Sequence, residues 1–189
     1  VALLLGELEA RGLSYRVAAE LELFDFEAPT ARGIDVRMTD RQVTLARADV
    51  RTARPRGAVY STLLPVPVLG QTIPVLRGWT ALDVKDQGAW LTLVNTHTEA
   101  FHPDVRTAQA MELAAILAPE TGRVILVGDD NDAPWVGAAA VFQAAGFADV
   151  WAALRGDEPG LTCCWPELLS ALEPPLSEPE IVTHLEELA

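Results

Sequence analysis

Two apolar runs, Trp90–Val94 and Val124–Val127, each turn polar at the C-terminal end: Asn95-Thr96-His97 after the first, Gly128-Asp129-Asp130-Asn131 after the second. Between them, residues 103–118 open on Pro103-Asp104 and carry Ala110, Leu113 and Leu117 on one stripe at helical spacing, with Ile116 alongside, until Pro119 stops the helix. Strand, helix, strand makes one crossover unit, and few folds accommodate it. Side chains alternate faces along a strand. Asn95 and His97 therefore share a face with Leu91 and Leu93 behind them, and Asp129 and Asn131 share one if Gly128–Asn131 stays extended. Two strands that each end in a polar pair read as a scaffold presenting a site.

The rest of the chain supplies hairpins and turns. Residues 2–11 read as an amphipathic helix closed by Gly12, and 14–26 as a strand. Residues 28–39, rich in Pro, Gly, Asp and Thr, read as loop, and 42–46 as a short strand. Residues 47–71, with three prolines and four arginines, read as a long surface loop or an edge hairpin. Residues 73–84 form a strand joined to the Trp90 strand through Asp86-Gln87-Gly88, an antiparallel hairpin. A further helix spans 138–145 before Gly146, and residues 180–189 end as a short acidic helix. No repeat or linker divides the 189 residues, so one domain over 1–189 is expected, a mixed α/β (α+β) fold with helices packed on sheets.

Composition excludes several functions. The net charge of -13 disfavours tight nonspecific binding to a phosphate backbone, so no strong bulk nucleic-acid affinity is expected. No apolar run reaches the roughly 20 residues that span a bilayer, so no transmembrane segment is expected. Val1–Leu5 is too short and lacks the basic start of a signal peptide, which leaves localisation unknown. Cys163 and Cys164 are adjacent and define neither a disulfide framework nor a zinc site. No phosphate-cradling glycine loop, nucleophile elbow or Cys-His arrangement is present.

What remains is oxygen and imidazole chemistry. His97 can exchange a proton or hold a phosphoryl oxygen, with Asn95 beside it. Asp129, Asp130, Asn131 and Asp132 are the densest acidic cluster, suited to a hard divalent cation or to orienting a water. The same residues also suit a plain turn, and Pro134 favours that reading. Their spacing fails a helix-loop-helix calcium loop, and His97, Glu99 and His102 match no zinc motif. Arg106 and Gln109 could reach back toward His97, though such residues are usually solvated.

These stretches resemble the endonuclease/exonuclease/phosphatase superfamily, the DNase I-like proteins. Val94–Ala100 is similar to its "NTHLEA" strand and Val124–Asn131 to its "ILVGDFN" strand. Arg77-Gly78-Trp79, the Arg106/Gln109/Glu112-Leu113 helix, Ala145–Trp151, Thr162-Cys163-Cys164 and Leu176-Ser177-Glu178 follow in the family's order. The resemblance implies a two-sheet sandwich flanked by helices, truncated here, and hydrolysis of a phosphoester (a small molecule, lipid headgroup or nucleic acid) with Mg2+, or Mn2+ in its place. It implies that His97 holds or protonates the phosphate with Asn95 in support. Asp129 would orient water or bind metal, and Asn131 would bind the scissile phosphate and share in the metal site.

The departures are as specific as the matches. The family's first-strand asparagine and the metal-binding glutamate after it would fall upstream of Val1. Pro179-Glu180-Ile181 stands where Arg-Ile-Asp is expected, and Thr183-His184-Leu185 matches the terminal Asp-His pair poorly. Asp130 replaces an apolar residue. The expectation is half a catalytic site with weak or no hydrolysis. A non-catalytic relative that binds a phosphorylated ligand or a protein is the alternative, and a plain α/β domain with remnant motifs is a third reading.

Overall fold

The computed structural model describes residues 1–156 and 158, apart from 31, 69, 70 and 134. The Thr162-Cys163-Cys164 and Leu176-Ser177-Glu178 motifs, Thr183-His184 and the expected acidic helix lie outside the described residues. The chain divides into two compact units, Val1–Phe147 and Ala148–Ala189. In the second, α4 (Val150–Arg155) starts at Asp149, whose side chain accepts a hydrogen bond from the Ala152 N–H.

The first unit is built on a four-stranded sheet in the order β3-β6-β7-β8, from Thr52–Val59, Gly78–Asp86, Ala89–His97 and Arg123–Asp129. Strands β6 and β7 are antiparallel and turn through Gln87 and Gly88, both at positive φ, which matches the twist of a tight hairpin. From β7 the chain crosses through α2 (Pro103–Leu117) and returns as β8, parallel to β7. The expected crossover unit is therefore present. Its ladder pairs His97 with Asp129, so both polar strand ends emerge at one edge.

The two faces of this sheet carry different loads. Val94, Trp79 and Ala81 face α2 and α3 (Gly137–Ala144) and form the core with Ala110, Leu113, Leu117, Ala138 and Phe142. The predicted α2 stripe is buried, whereas Ile116 is exposed. The opposite face receives a two-stranded ribbon, β1 (Tyr15–Pro29) paired antiparallel with β2 (Asp35–Arg47). Gly78 marks the contact: a methyl group there would meet Leu21 of β1 and the Ala58 carbonyl of β3. A small hairpin, β4 (Leu64–Val68) with β5 (Gln71–Val75), completes the unit. Two sheets with flanking helices are what the resemblance implied.

Several local expectations change. Residues 35–39 are strand, not loop, because they pair antiparallel with Asp25–Pro29 of β1, where the Arg37 side chain also pairs with Asp25. The stretch 47–71 is edge strand plus hairpin, with Pro55 at a register shift where no ladder donor is needed. The strand expected over 73–84 breaks at Leu76-Arg77 into β5 and β6. Helix α1 (Ala2–Ala10) buries no residue, so its leucines do not form the packed stripe of an amphipathic helix. Among the described residues no helix is long and apolar enough to cross a membrane.

Candidate active site at the ends of β7 and β8

The parallel pairing of β7 and β8 sets the site. His97 Nε2 lies 3.8 Å from Asp129 Oδ2. Asn95 shares the His97 face one alternation back, half-buried, with Thr80 and Val127 as its ladder neighbours. Gly128 allows the close approach: a methyl group there would fall 1.9 Å from the Thr96 carbonyl oxygen, and its φ of 151° disfavours any side chain. Thr96 points to the other face, where Tyr60 Oη meets its Oγ1 at 2.5 Å and that hydroxyl donates to the Gly78 carbonyl. The interlock holds β7 to β6 just below the site.

Asn131 does not continue the strand. β8 stops at Asp129, and Asn131 adopts φ 51°, a left-handed conformation asparagine tolerates. The condition that would put Asp129 and Asn131 on one face is therefore not met. Asn131 N–H instead donates to Asp129 Oδ1 at 2.9 Å, and its Nδ2 donates to the Thr98 carbonyl at 2.9 Å. Thr98 returns the tie, its N–H to the Asp129 carbonyl and its hydroxyl to the Asp130 carbonyl. Both strand ends are thus stitched together by backbone, and Asn131 Oδ1 is left as the acceptor of that amide.

The acidic cluster splits by role. Asp129 is open to solvent. The Asp132 side chain is largely covered, 2.9 Å from Arg106, and accepts from the Ala138 N–H at the start of α3. Asp130 is half-buried, and burial, then the charges of Asp129 and Asp132, push its carboxyl up to about 6. Arg106 and Gln109 are not solvated. Arg106 donates to the carbonyls of Glu99 and Ala100 as well as pairing with Asp132. Gln109 accepts from the Glu99 N–H and donates to the Thr62 carbonyl. Both brace the loop after β7, a role that spacing on α2 cannot reveal.

Two contributors were missed. Arg77, in the break before β6, places Nη1 3.2 Å from His97 Nδ1, and its Nε lies 3.9 Å from the fully buried Glu99 carboxylate. Burial, and next the Arg77 charge, lower the His97 pKa, so the imidazole is neutral at pH 7. The second is β2. Leu21 lies against Gly78; Gln42 is the ladder partner of Leu21, as His97 is of Gly78. The two registers bring the Asp40–Gln42 stretch over the end of β7, and the Asp40 charge acts on His97. The Gln42 amide is buried with neither polar atom hydrogen-bonded. A pairing across two sheets leaves no local sequence signal.

Among the described residues no three His, Cys, Asp or Glu side chains converge on one point. The oxygens near this edge are the Asp129 carboxylate and the Asn131 amide oxygen, beside an Asp130 carboxyl raised by burial and then by the charges of Asp129 and Asp132. Those hard oxygens fit a magnesium ion that keeps several waters, as magnesium commonly does.

No protein-family model matches the sequence, and no curated protein matches it. Among solved structures, a humanized D. rerio TDP2 matches with a TM-score of 0.52 at 20% identity, over 81% of this chain and 55% of that one. A Bacteroides thetaiotaomicron endonuclease/exonuclease/phosphatase family protein matches at 0.48 and 18%, over 77% and 50% of the two chains. The fold is the DNase I-like one of the TDP2 structure. The human Nocturnin catalytic domain, with a bound sulfate anion, matches at 0.48 and 16%, over 80% of this chain and 56% of that one. The chain thus spans about half the length of these structures.

Proposed function

We propose that this chain carries the phosphate-holding half of a metal-dependent phosphoester hydrolase, impaired as it stands. The observation that carries the reading is the 3.8 Å approach of His97 Nε2 to Asp129 Oδ2 at one sheet edge. A phosphoryl group there meets a neutral imidazole N–H on one side and a carboxylate on the other. His97 donates to a non-bridging oxygen, with Asn95 beside it, and Asp129 accepts a proton from the attacking water. The new P–O bond forms in line as the bond to the leaving oxygen breaks. Asn131 lies beside that edge, tied to it through its backbone N–H and its side-chain N–H groups, which leaves its amide oxygen as an acceptor. Magnesium, when bound, neutralises charge on the phosphoryl oxygens and polarises them.

The second reading, a non-catalytic relative that binds a phosphorylated ligand, rests on the donor set: two oxygen ligands support weak cation binding and no powerful metal centre. The substrate class is any phosphoester small enough to tolerate an acidic surface. The test is hydrolysis of bis(p-nitrophenyl) phosphate with magnesium, in wild type and His97→Ala. Slow hydrolysis, reduced at least about tenfold in His97→Ala, supports the hydrolase. Phosphate binding with no hydrolysis supports the second reading. Robust turnover that His97→Ala leaves unchanged overturns both. Titration calorimetry with magnesium should give weak binding that Asp129→Asn weakens further, and identical isotherms would remove Asp129 from the site.

A further inference from the structure

His97 presents two nitrogens to two different neighbours, and only one proton arrangement suits both. Nδ1 sits 3.2 Å from Arg77 Nη1. A guanidinium has five donors and no acceptor, and does not deprotonate in proteins. In a neutral imidazole one nitrogen donates and the other accepts. Nδ1 facing Arg77 must therefore be the acceptor, which leaves the proton on Nε2, the nitrogen that faces Asp129.

Arg77 is itself held in place. It lies in the break between β5 and β6, next to Gly78, which pairs with His97 in the ladder. Its side chain is largely buried, and Glu99 behind it is fully buried. Glu99 Oε1 accepts from the Phe101 N–H, while Glu99 Oε2 and Arg77 Nε, 3.9 Å apart, each lack a hydrogen bond. A buried carboxylate persists when paired, and Arg77 is the cation the structure places on Glu99.

We propose that Arg77, anchored by Glu99, is a positioning residue that fixes His97 as the Nε2–H tautomer, so that the imidazole meets a phosphoryl oxygen only as a hydrogen-bond donor. The donor's target rests on the proposed function; the tautomer does not. A charge-assisted hydrogen bond to Nδ1 biases the tautomers about tenfold or more.

The experiment is nitrogen-15 NMR of histidine-labelled, metal-free protein at about pH 9, where imidazoles are neutral. With three histidines in the chain, single substitutions of His102 and His184 assign the spectrum. Wild type should show a protonated Nε2 and an unprotonated Nδ1 shifted by hydrogen bonding. Arg77→Met should remove that shift and raise the Nδ1–H share about tenfold, and Arg77→Lys should restore the wild-type pattern in part. Should Arg77→Met fail to fold, Glu99→Gln, which keeps an acceptor for the Phe101 N–H, should weaken the Nδ1 shift in a folded protein. A protonated Nδ1 in wild type, or a spectrum unchanged in both variants, overturns the proposal. Inorganic phosphate is the separate probe: it should move the Nε2 resonance of wild type and leave Nδ1 in place. No response to phosphate overturns the phosphoryl-site reading and the donor's target, while the tautomer stands or falls on the metal-free spectra.

Discussion

The two faces of the four-stranded sheet are finished to different degrees. On the helix side Val94, Ala110 and Leu113 are completely buried. On the ribbon side β1 and β2 cover the β3–β6 half, yet Ile125 and Val127 of β8 remain 46% and 45% exposed. The same strand thus packs Val124 and Leu126 into a dense core and leaves its alternate residues in water. His97 and Asp129 stand at the border, the imidazole half-buried and the carboxylate open to solvent.

The sharpest test of that difference is a matched pair. Leu113→Ala should cost about 3–4 kcal/mol in urea unfolding, through lost burial and a residual cavity. Ile125→Ala should cost under about 1 kcal/mol, because the methyl groups removed already face water. Equal costs would mean that the β8 inner face is covered in solution.

A smaller effect is expected where the border is tied to the helices. Asp132→Ala leaves the Arg106 guanidinium buried with only the two carbonyls it already meets, and removes the acceptor at the start of α3. A loss of about 2–3 kcal/mol is expected, read as a lower urea midpoint at unchanged slope. A loss below about 0.5 kcal/mol would show that this loop is not braced by the pair.

The smallest expected effect is electrostatic, and its sign is diagnostic. Asp130 has a folded pKa of about 6 against 3.8 ordinarily, so ionising it opposes folding. That cost is absent below about pH 4 and grows as pH rises through 6. Asp130→Leu should therefore stabilise metal-free protein at pH 7 by about 1–2 kcal/mol, after allowance for its partial exposure, and do little at pH 4. His97 acts in the opposite sense. Its lowered pKa means the unfolded chain binds the proton more readily, so its contribution is lost as pH falls below 6.5. A midpoint for Asp130→Leu that tracks wild type at every pH would mean that this carboxyl is solvated.

The resemblance made the fold legible because it rests on runs whose spacing is local. The helix stripe Ala110, Leu113, Leu117 and the Gln87-Gly88 turn needed nothing beyond the chain's own periodicity. The ribbon was harder, since Arg37 and Thr39 look like loop until Asp25 is across from them. Arg106 and Gln109 read as solvated helix residues because polar side chains normally face water; here both are buried, Arg106 against Asp132 and the Glu99 and Ala100 carbonyls, Gln109 against the Thr62 carbonyl.

By itself, the chain determined that Asn95 and His97 share a face, and that a helix must separate that strand from the one ending in Asp129. Both follow from covalent geometry, with its periods of 2 and 3.6 residues. Only the tertiary structure decided that His97 and Asp129 are ladder partners, that Asn131 leaves the strand, and that Arg77 stands behind the imidazole. Those facts depend on register and on which segment packs across the sheet, and no local periodicity encodes either.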